Sequence, residues 1–277
     1  MSAQGEIARN RSAHDRVARV YDSRHEDIFN DVEQARLSLA VREAVGAVCD
    51  APAGGVHALD VGAGTGNLTR HLLACGARVT AADLSPACLA VVRDRYGSSG
   101  RIQTVPLDGE RLSPFADASF DLAACYSVLH HVPDYLTLVR EMARVVRPGG
   151  VVYIDHERHD ASWQPGAAYV AFLREAVVWP ARTWRNFLRP SSYWRRVRPL
   201  LEWRRWLDSR WMPEGDLHIW PDDHIEWAKV EGALAACGVQ PVIARDYLLY
   251  EARYDRAVWD RWKDRASDYR MWIGGKS

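Results

Sequence analysis

Little in this chain is in excess, and several common features are missing. Lys plus Arg and Asp plus Glu balance at 36 each, so no global charge marks a nucleic-acid binder or an acidic, salt-adapted surface. The five cysteines (Cys49, Cys75, Cys88, Cys125, Cys237) never fall into C-x-x-C spacing. No disulfide framework is implied, and most sit in apolar settings, which suits buried thiols in a reducing cytoplasm. No window approaches the ~20 apolar residues of a membrane span, and the polar N-terminus lacks the apolar core of a signal peptide. A soluble, cytoplasmic protein is expected. With 277 residues the chain is long enough for one large α/β domain with additions.

What the chain does have begins with an apolar run, Val56 to Val61, broken only by His57 and Asp60. This reads as a buried strand. Gly62, Gly64 and Gly66 follow, and a helical pattern opens at Asn67. Glycines at such a turn let a ligand approach the main chain, and the first N–H groups of the helix favour a negative charge on it. The site is of nucleotide type. Its spacing is G-x-G-x-G, with Asn67 where the last glycine of a dinucleotide fingerprint would stand, which weakens a pyrophosphate reading.

Around this turn the chain alternates. Helices are expected over residues 6–20 and from Asn30 through Ala47, the latter opened by capping-box spacing from Asn30 to Glu33. Tyr21-Asp22 lies at the break between them. A second strand, Arg78 to Ala82, ends at Asp83-Leu84-Ser85-Pro86, where Ser85 caps a helix and Pro86 takes its first position. Residues 101–107 read as a third strand closed by Asp108-Gly109, and Leu122 to Tyr126 as a fourth. A helix runs from Pro133-Asp134 to Val146, and Arg147-Pro148-Gly149-Gly150 precedes a fifth strand, Val151 to Asp155.

Such alternation implies a parallel sheet with helices on both faces, and ligands in these sheets bind beyond the carboxyl ends of the strands. The candidates for chemistry are therefore Gly62 to Gly66, Asp83, Asp108, Tyr126 to His131, and Asp155 to His159. Beyond residue 222 the pattern resumes with a helix from Asp223 to Cys237, a strand from Val239, a helix from Asp255 and a short last strand, Met271 to Ile273.

Residues 160–222 break the alternation. They carry eight of the tryptophans, with nine arginines between Arg182 and Arg210 against only Glu202 and Asp208. An acceptor lid is expected here. Its composition is open between an anionic substrate, a membrane surface with a lipid-linked acceptor, RNA, and a helical cap with solvated arginines.

The stretch Leu59-Asp60-Val61-Gly62-Ala63-Gly64-Thr65-Gly66 resembles the first motif of the class I S-adenosylmethionine-dependent methyltransferases. Pro114-Phe115, Phe120-Asp121 and Leu129-His130-His131-Val132 are similar to their small-molecule subgroup, the ubiquinone and sugar O-methyltransferase-like enzymes. The resemblance covers roughly residues 15–155. It implies a Rossmann-like seven-stranded α/β sheet, mostly parallel with an antiparallel last strand, helices on both faces, an N-terminal helical cap and an inserted helical lid. In these terms the chain is a single domain, 1–277, with its cap at 1–50, cofactor-binding core at 51–159, lid at 160–222 and the C-terminal part of the sheet at 223–277.

The resemblance also implies the cofactor, S-adenosyl-L-methionine, leaving as S-adenosyl-L-homocysteine, and assigns its contacts to Tyr21, Asp60, Gly62, Ala63, Gly64, Gly66, Asn67, Asp83, Leu84, Asp108, Gly109 and Tyr126. A carboxylate at Asp83 can accept both ribose hydroxyls. Asp108 would accept from the adenine amino group. Tyr21 stands near the methionine end or merely packs on the next helix.

A sulfonium methyl is already electrophilic, so the protein must supply alignment and, for a hydroxyl acceptor, a base. His130, His131 and His156 are the candidates, with the His130/His131 pair the stronger bet. Histidines and carboxylates also cluster after the fifth strand (His156, Glu157, His159, Asp160) and after the insertion (His218, Asp222, Asp223, His224). Neither cluster has a recognised ligand spacing, so no metal is assigned.

The family's amino-methylating DNA and glutamine enzymes share an Asn/Asp-Pro-Pro-aromatic sequence after the fourth strand, where this chain reads Ser127-Val128-Leu129-His130. The expected activity is O-methylation of a small molecule, ahead of nitrogen or carbon, in the biosynthesis of a natural product or a sugar- or lipid-linked intermediate. The alternatives are an RNA methyltransferase using the basic lid, and a non-catalytic cofactor-binding regulatory subunit.

Overall fold

The computed structural model describes residues 3–176, 218–220 and 223–277. Most of the expected lid, with its arginine-rich stretch and six of its tryptophans, lies outside the described residues.

Seven strands form one sheet in the order β3-β2-β1-β4-β5-β7-β6. These are β1 (His57–Val61), β2 (Arg78–Asp83), β3 (Ile102–Pro106), β4 (Phe120–Tyr126), β5 (Val146–Arg158), β6 (Val239–Tyr247) and β7 (Tyr269–Lys276). The first five run parallel, and β7 lies antiparallel between β5 and β6. The sheet therefore has the expected mostly parallel form, with its last strand reversed. Strand order turns between β1 and β4, and the crevice beyond their carboxyl ends is where a doubly wound sheet binds its ligand.

Period-2 alternation with both faces buried explains the near-continuous apolar strands. Leu59 and Val61 of β1, Ala123 and Cys125 of β4, and Val152 and Ile154 of β5 pack on one face. There they meet α5 (Tyr135–Val145) and α7 (Trp227–Ala236) through Met142, Val139, Trp227 and Leu234. Ala58, Leu122, Ala124, Val151 and Tyr153 face the other way, onto α2 (Asp31–Gly46) and α3 (Asn67–Ala74). Close to β2 and β3 lies α4 (Pro86–Tyr96).

Local signals set most boundaries. Asn30 caps α2 by accepting from the Glu33 N–H, Ser85 caps α4 with Pro86 in its first turn, and Asp134 caps α5 by accepting from Thr137. The largest departure is β5. Arg147-Pro148-Gly149-Gly150, expected as punctuation, falls inside its span but as a bulge, since Phe120 pairs with Val146 and Leu122 with Val151, and the Arg147 guanidinium grips Asp121 at 2.6 Å and the carbonyls of Cys49 and Asp50 there.

The N-terminal helix α1 (Ala3–Val17) starts and stops three residues before expectation. In the C-terminal half, α6 (Ala167–Ala176) packs through Phe172 and Ala176 against Tyr254 and Trp259, the latter on α8 (Arg256–Trp262). Among the described residues no helix is long and apolar enough to cross a membrane.

Candidate functional site

Two cavities open beyond β1 and β4, and they share a wall. The first, about 1040 Å³ counting its open mouth, is lined by the glycine turn, by Asp83-Leu84 after β2, by Leu107 and Gly109 after β3, and by Tyr126 to Val128 after β4. Helix α1 covers it with Ile7, Asn10 and His14. These three recur at i, i+3 and i+7, which puts them on one helical face.

The turn is built inward. The N–H groups of Gly62 and Ala63 both donate to the Ala82 carbonyl, at 2.8 and 3.1 Å, and that of Gly64 donates to the Asp83 carboxylate at 2.8 Å. Gly62 has φ +68°, and a Cβ there would stand 2.6 Å from the Val128 side chain. Glycine is thus required by both backbone angle and space.

The other Asp83 oxygen accepts from the Ser85 N–H at 2.7 Å. Each carboxylate oxygen has a second lone pair, so the side chain can still accept from a ligand. Burial raises its pKa, while those two amides and His14 oppose the rise.

Asn67, at the start of α3, accepts from Gln34, but its buried Nδ2 has no hydrogen-bond partner. A buried orphan donor on a cavity wall is costly unless a ligand meets it. Together the spare acceptor capacity of Asp83, the orphan donor of Asn67 and the apolar slot of Leu84, Leu107 and Gly109 fit a nucleoside carrying an amino-acid end.

Further contacts hold the cap over this cavity. Thr65 donates to Asp22 at 2.6 Å, Arg95 bridges to Asp22 at 2.7 Å, and Ser85 donates to Asp15 at 2.6 Å. Tyr21 stacks on His25 with ring centroids 3.9 Å apart and lines both cavities.

The second cavity, about 900 Å³, shares Tyr21, Ile28, Ser127 and His131 with the first and adds His130, His156, Arg158, His218, Asp223 and Tyr269. Behind it, Glu157 is completely buried. One of its oxygens accepts from the N–H groups of Val128 and Leu129 at 2.7 and 2.6 Å, and the other meets His130 Nδ1 at 2.9 Å. A carboxylate there fixes Nδ1 as the protonated nitrogen and puts the ring's lone pair on Nε2.

His156 is 3 % exposed, held at φ +60° and stacked on Tyr126. Neither of its ring nitrogens has a partner among the described residues. Burial, then the positive charge of Arg36, holds its pKa well below the ordinary histidine value. It is a neutral imidazole.

Of the residues expected to touch the cofactor, Tyr21, Gly62, Ala63, Gly64, Asn67, Asp83, Leu84, Gly109 and Tyr126 line the first cavity. Asp60 instead lies beneath the turn, accepting from Thr69 Oγ1 at 2.6 Å. Gly66 packs close to Tyr96. Asp108 is exposed and opens onto a neighbouring cavity that shares the Ile7, Leu84 and Leu107 walls.

His131 lines both main cavities, and His130 and His156 line the second. Asn10 and His14 were missed, although their spacing on the first helix was a usable signal. His218 was seen only as part of a cluster on the other side of the insertion.

Residues 59–154 match the family model of a methyltransferase domain. The chain is 34 % identical over 200 residues to a demethylmenaquinone methyltransferase of Parafrankia sp., covering 65 % of this chain and 76 % of that protein. It is 31 % identical over 144 residues to a ubiquinone biosynthesis O-methyltransferase of Xanthomonas campestris pv. campestris, covering 50 % of this chain and 59 % of the relative. The chain thus spans little more than half the length of that relative.

Among solved structures, a Burkholderia thailandensis 1,6-didemethyltoxoflavin N1-methyltransferase bound to its substrate and S-adenosylhomocysteine superposes with a TM-score of 0.57 at 20 % identity, over 100 % of this chain and 91 % of that one. A geranyl diphosphate C-methyltransferase of Streptomyces coelicolor A3(2) superposes with a TM-score of 0.52 at 13 % identity, over 87 % and 79 %. At these identities the likeness is one of fold.

Proposed function

Because the chain belongs to the class I S-adenosylmethionine-dependent methyltransferases, we propose that it moves a methyl group from that cofactor to an oxygen of a small molecule seated in the second cavity. The observation that carries this reading is the position of His131. It forms wall in both cavities, beside a His130 ring backed by a buried carboxylate.

In this reading Asp83 accepts the ribose hydroxyls, Asn67 Nδ2 meets the amino-acid end, and Leu84, Leu107 and Gly109 flank the base. The bound cofactor supplies an electrophilic methyl group on a sulfonium. Tyr21, Ser127 and His131, common to both cavities, align the acceptor against it. Such alignment can supply roughly 7 to 11 kcal/mol of the barrier reduction. A histidine of the pair takes the acceptor's proton, an effect worth roughly 10²- to 10⁴-fold in rate.

The solved structures methylate nitrogen and carbon in their printed names and one relative oxygen, so fold likeness does not select the acceptor atom. Support for oxygen comes from the histidines, since a hydroxyl must lose a proton to become a good nucleophile. The aromatic walls of Tyr21, Tyr269, His25 and His156 suit a ring-bearing hydroxyl compound, in keeping with quinone-related names among the relatives. A natural-product or lipid-linked intermediate is the corresponding biosynthetic class. The free thiols agree with a cytoplasmic location.

The test is calorimetric titration with S-adenosylhomocysteine followed by an acceptor screen read by product mass. Micromolar binding and a product heavier by one methylene unit on a phenolic or enolic oxygen support the reading. Tight binding with no turnover on any acceptor supports a regulatory subunit, and strongly salt-dependent RNA binding supports an RNA enzyme.

A further inference from the structure

The chain's three closest-set histidines come from two distant segments. His130 and His131 follow β4, and His218 arrives from beyond the insertion. The Ile219 N–H donates to the His130 carbonyl at 3.0 Å, and the Trp220 indole donates to the Val132 carbonyl at 2.9 Å. These two bonds lay the 218–220 segment along residues 130–132, with Trp220 edge-on to Tyr135. As a result the three imidazole centroids stand 4.2, 4.9 and 4.7 Å apart. One ligating nitrogen from each ring lies within 4.8 Å of those of the other two.

We propose that His130, His131 and His218 bind a divalent transition-metal ion of the zinc class at the junction of the two cavities. Three observations carry this. The first is the convergence itself: three imidazoles this close cannot all be protonated without mutual repulsion, whereas one cation among them takes a lone pair from each. The second is the support behind the rings. His130 Nδ1 meets the buried Glu157 carboxylate at 2.9 Å, and His218 Nδ1 pairs with Asp223 at 2.5 Å. This is how ligating histidines are oriented, and it makes Nε2 the ligating nitrogen of both.

The third is location. Three protein ligands leave a fourth position open, and His131 borders the cavity assigned to the acceptor as well as that assigned to the cofactor. Nitrogens about 2.1 Å from a zinc ion lie about 3.4 Å apart in a tetrahedron, so nitrogens that here lie within 4.8 Å of one another close by up to about 1.4 Å on binding.

The role of the ion rests on the reading of the second cavity as the acceptor's. An acceptor hydroxyl occupies the open position and its O–H bond breaks, the proton leaving to water at the cavity mouth. The oxygen then forms a bond to the methyl carbon as the carbon–sulfur bond breaks, its electron pair remaining on sulfur. With the ion bound, His130 and His131 are both ligands and neither is the proton's destination, so the ion replaces the histidine base of that reading.

The experiment uses the full chain stripped with a chelator and titrated with cobalt(II) chloride, followed by visible absorption, and with zinc chloride, followed by metal content per chain. The expected result is one ion per chain with the absorption of a four-coordinate, imidazole-ligated cobalt. His218→Ala abolishes it, and Asp223→Asn weakens binding about 10- to 100-fold, while both variants keep wild-type affinity for S-adenosylhomocysteine, which shows that they fold. No stoichiometric ion in the wild type, or equal affinity in His218→Ala, overturns the site and leaves the acceptor reading standing. A bound ion whose removal leaves turnover unchanged overturns its role in the reaction.

Discussion

Glu157 meets His130 across 2.9 Å while its other oxygen holds the amides of Val128 and Leu129. One buried carboxylate therefore sets both the backbone of the loop after β4 and the tautomer of the ring that the loop carries.

In Glu157→Gln, the amide oxygen can keep the two N–H donors, but its NH₂ then faces Nδ1 and forces the proton onto Nε2. The Nε2 lone pair that either the proposed base or the proposed metal ligand requires is lost. The expected outcome is a kcat lower by about 10- to 100-fold with little change in S-adenosylhomocysteine affinity, measured by steady-state kinetics and calorimetry. Loss of cofactor binding together with kcat would mean that the carboxylate serves the fold alone.

Asp60 is almost fully buried, and that burial lifts its pKa to about 7, with the charge of Asp83 adding to the lift and the Thr69 hydroxyl opposing it. Because the native value lies above the unfolded one, the folded protein holds this proton longer. The associated stability is present in full below about pH 4 and is lost as pH rises through about 7. Asp60→Asn keeps the acceptor for Thr69 and removes the charge. Relative to wild type it should gain on the order of 2–4 kcal/mol on going from pH 5 to pH 8, measured by urea unfolding at both pH values. A pH-independent difference would contradict this.

Gly62→Ala places a methyl 2.6 Å from Val128 at a backbone angle of +68°. Affinity for S-adenosylhomocysteine should fall at least tenfold, with a stability cost of about 1–3 kcal/mol. Adding Val128→Ala relieves the clash and not the backbone strain, so the double variant should recover only part of the loss. Full recovery would show that space alone requires the glycine.

The first cavity, proposed for the cofactor, was legible because its walls are local. A strand, a glycine turn and a helix start are read from neighbouring residues, and Asp83 from its place at the end of the next strand. The second cavity was not. His218 reaches His130 and His131 only through the pairing of Ile219 and Trp220 with the loop after β4, and no periodicity announces a contact made across an insertion. Asp60 shows a different limit: its place in the motif pointed toward the cavity, while its side chain turns under the turn to Thr69. For β5, paired glycines and a proline signalled a break, and the register with β4 does shift there, from Phe120 opposite Val146 to Leu122 opposite Val151, while Arg147 ties the bulged stretch to Asp121.

The central claim is that Asp83 and the turn it braces receive an adenosyl sulfonium. Titrating wild type and Asp83→Asn with S-adenosylhomocysteine in a calorimeter tests it most directly. The account predicts one site per chain in the wild type and an affinity at least tenfold weaker in the variant, because the amide gives up one acceptor to the Gly64 or Ser85 N–H and can no longer hold both sugar hydroxyls. Equal affinity in the two proteins, or no binding by the wild type, would contradict it.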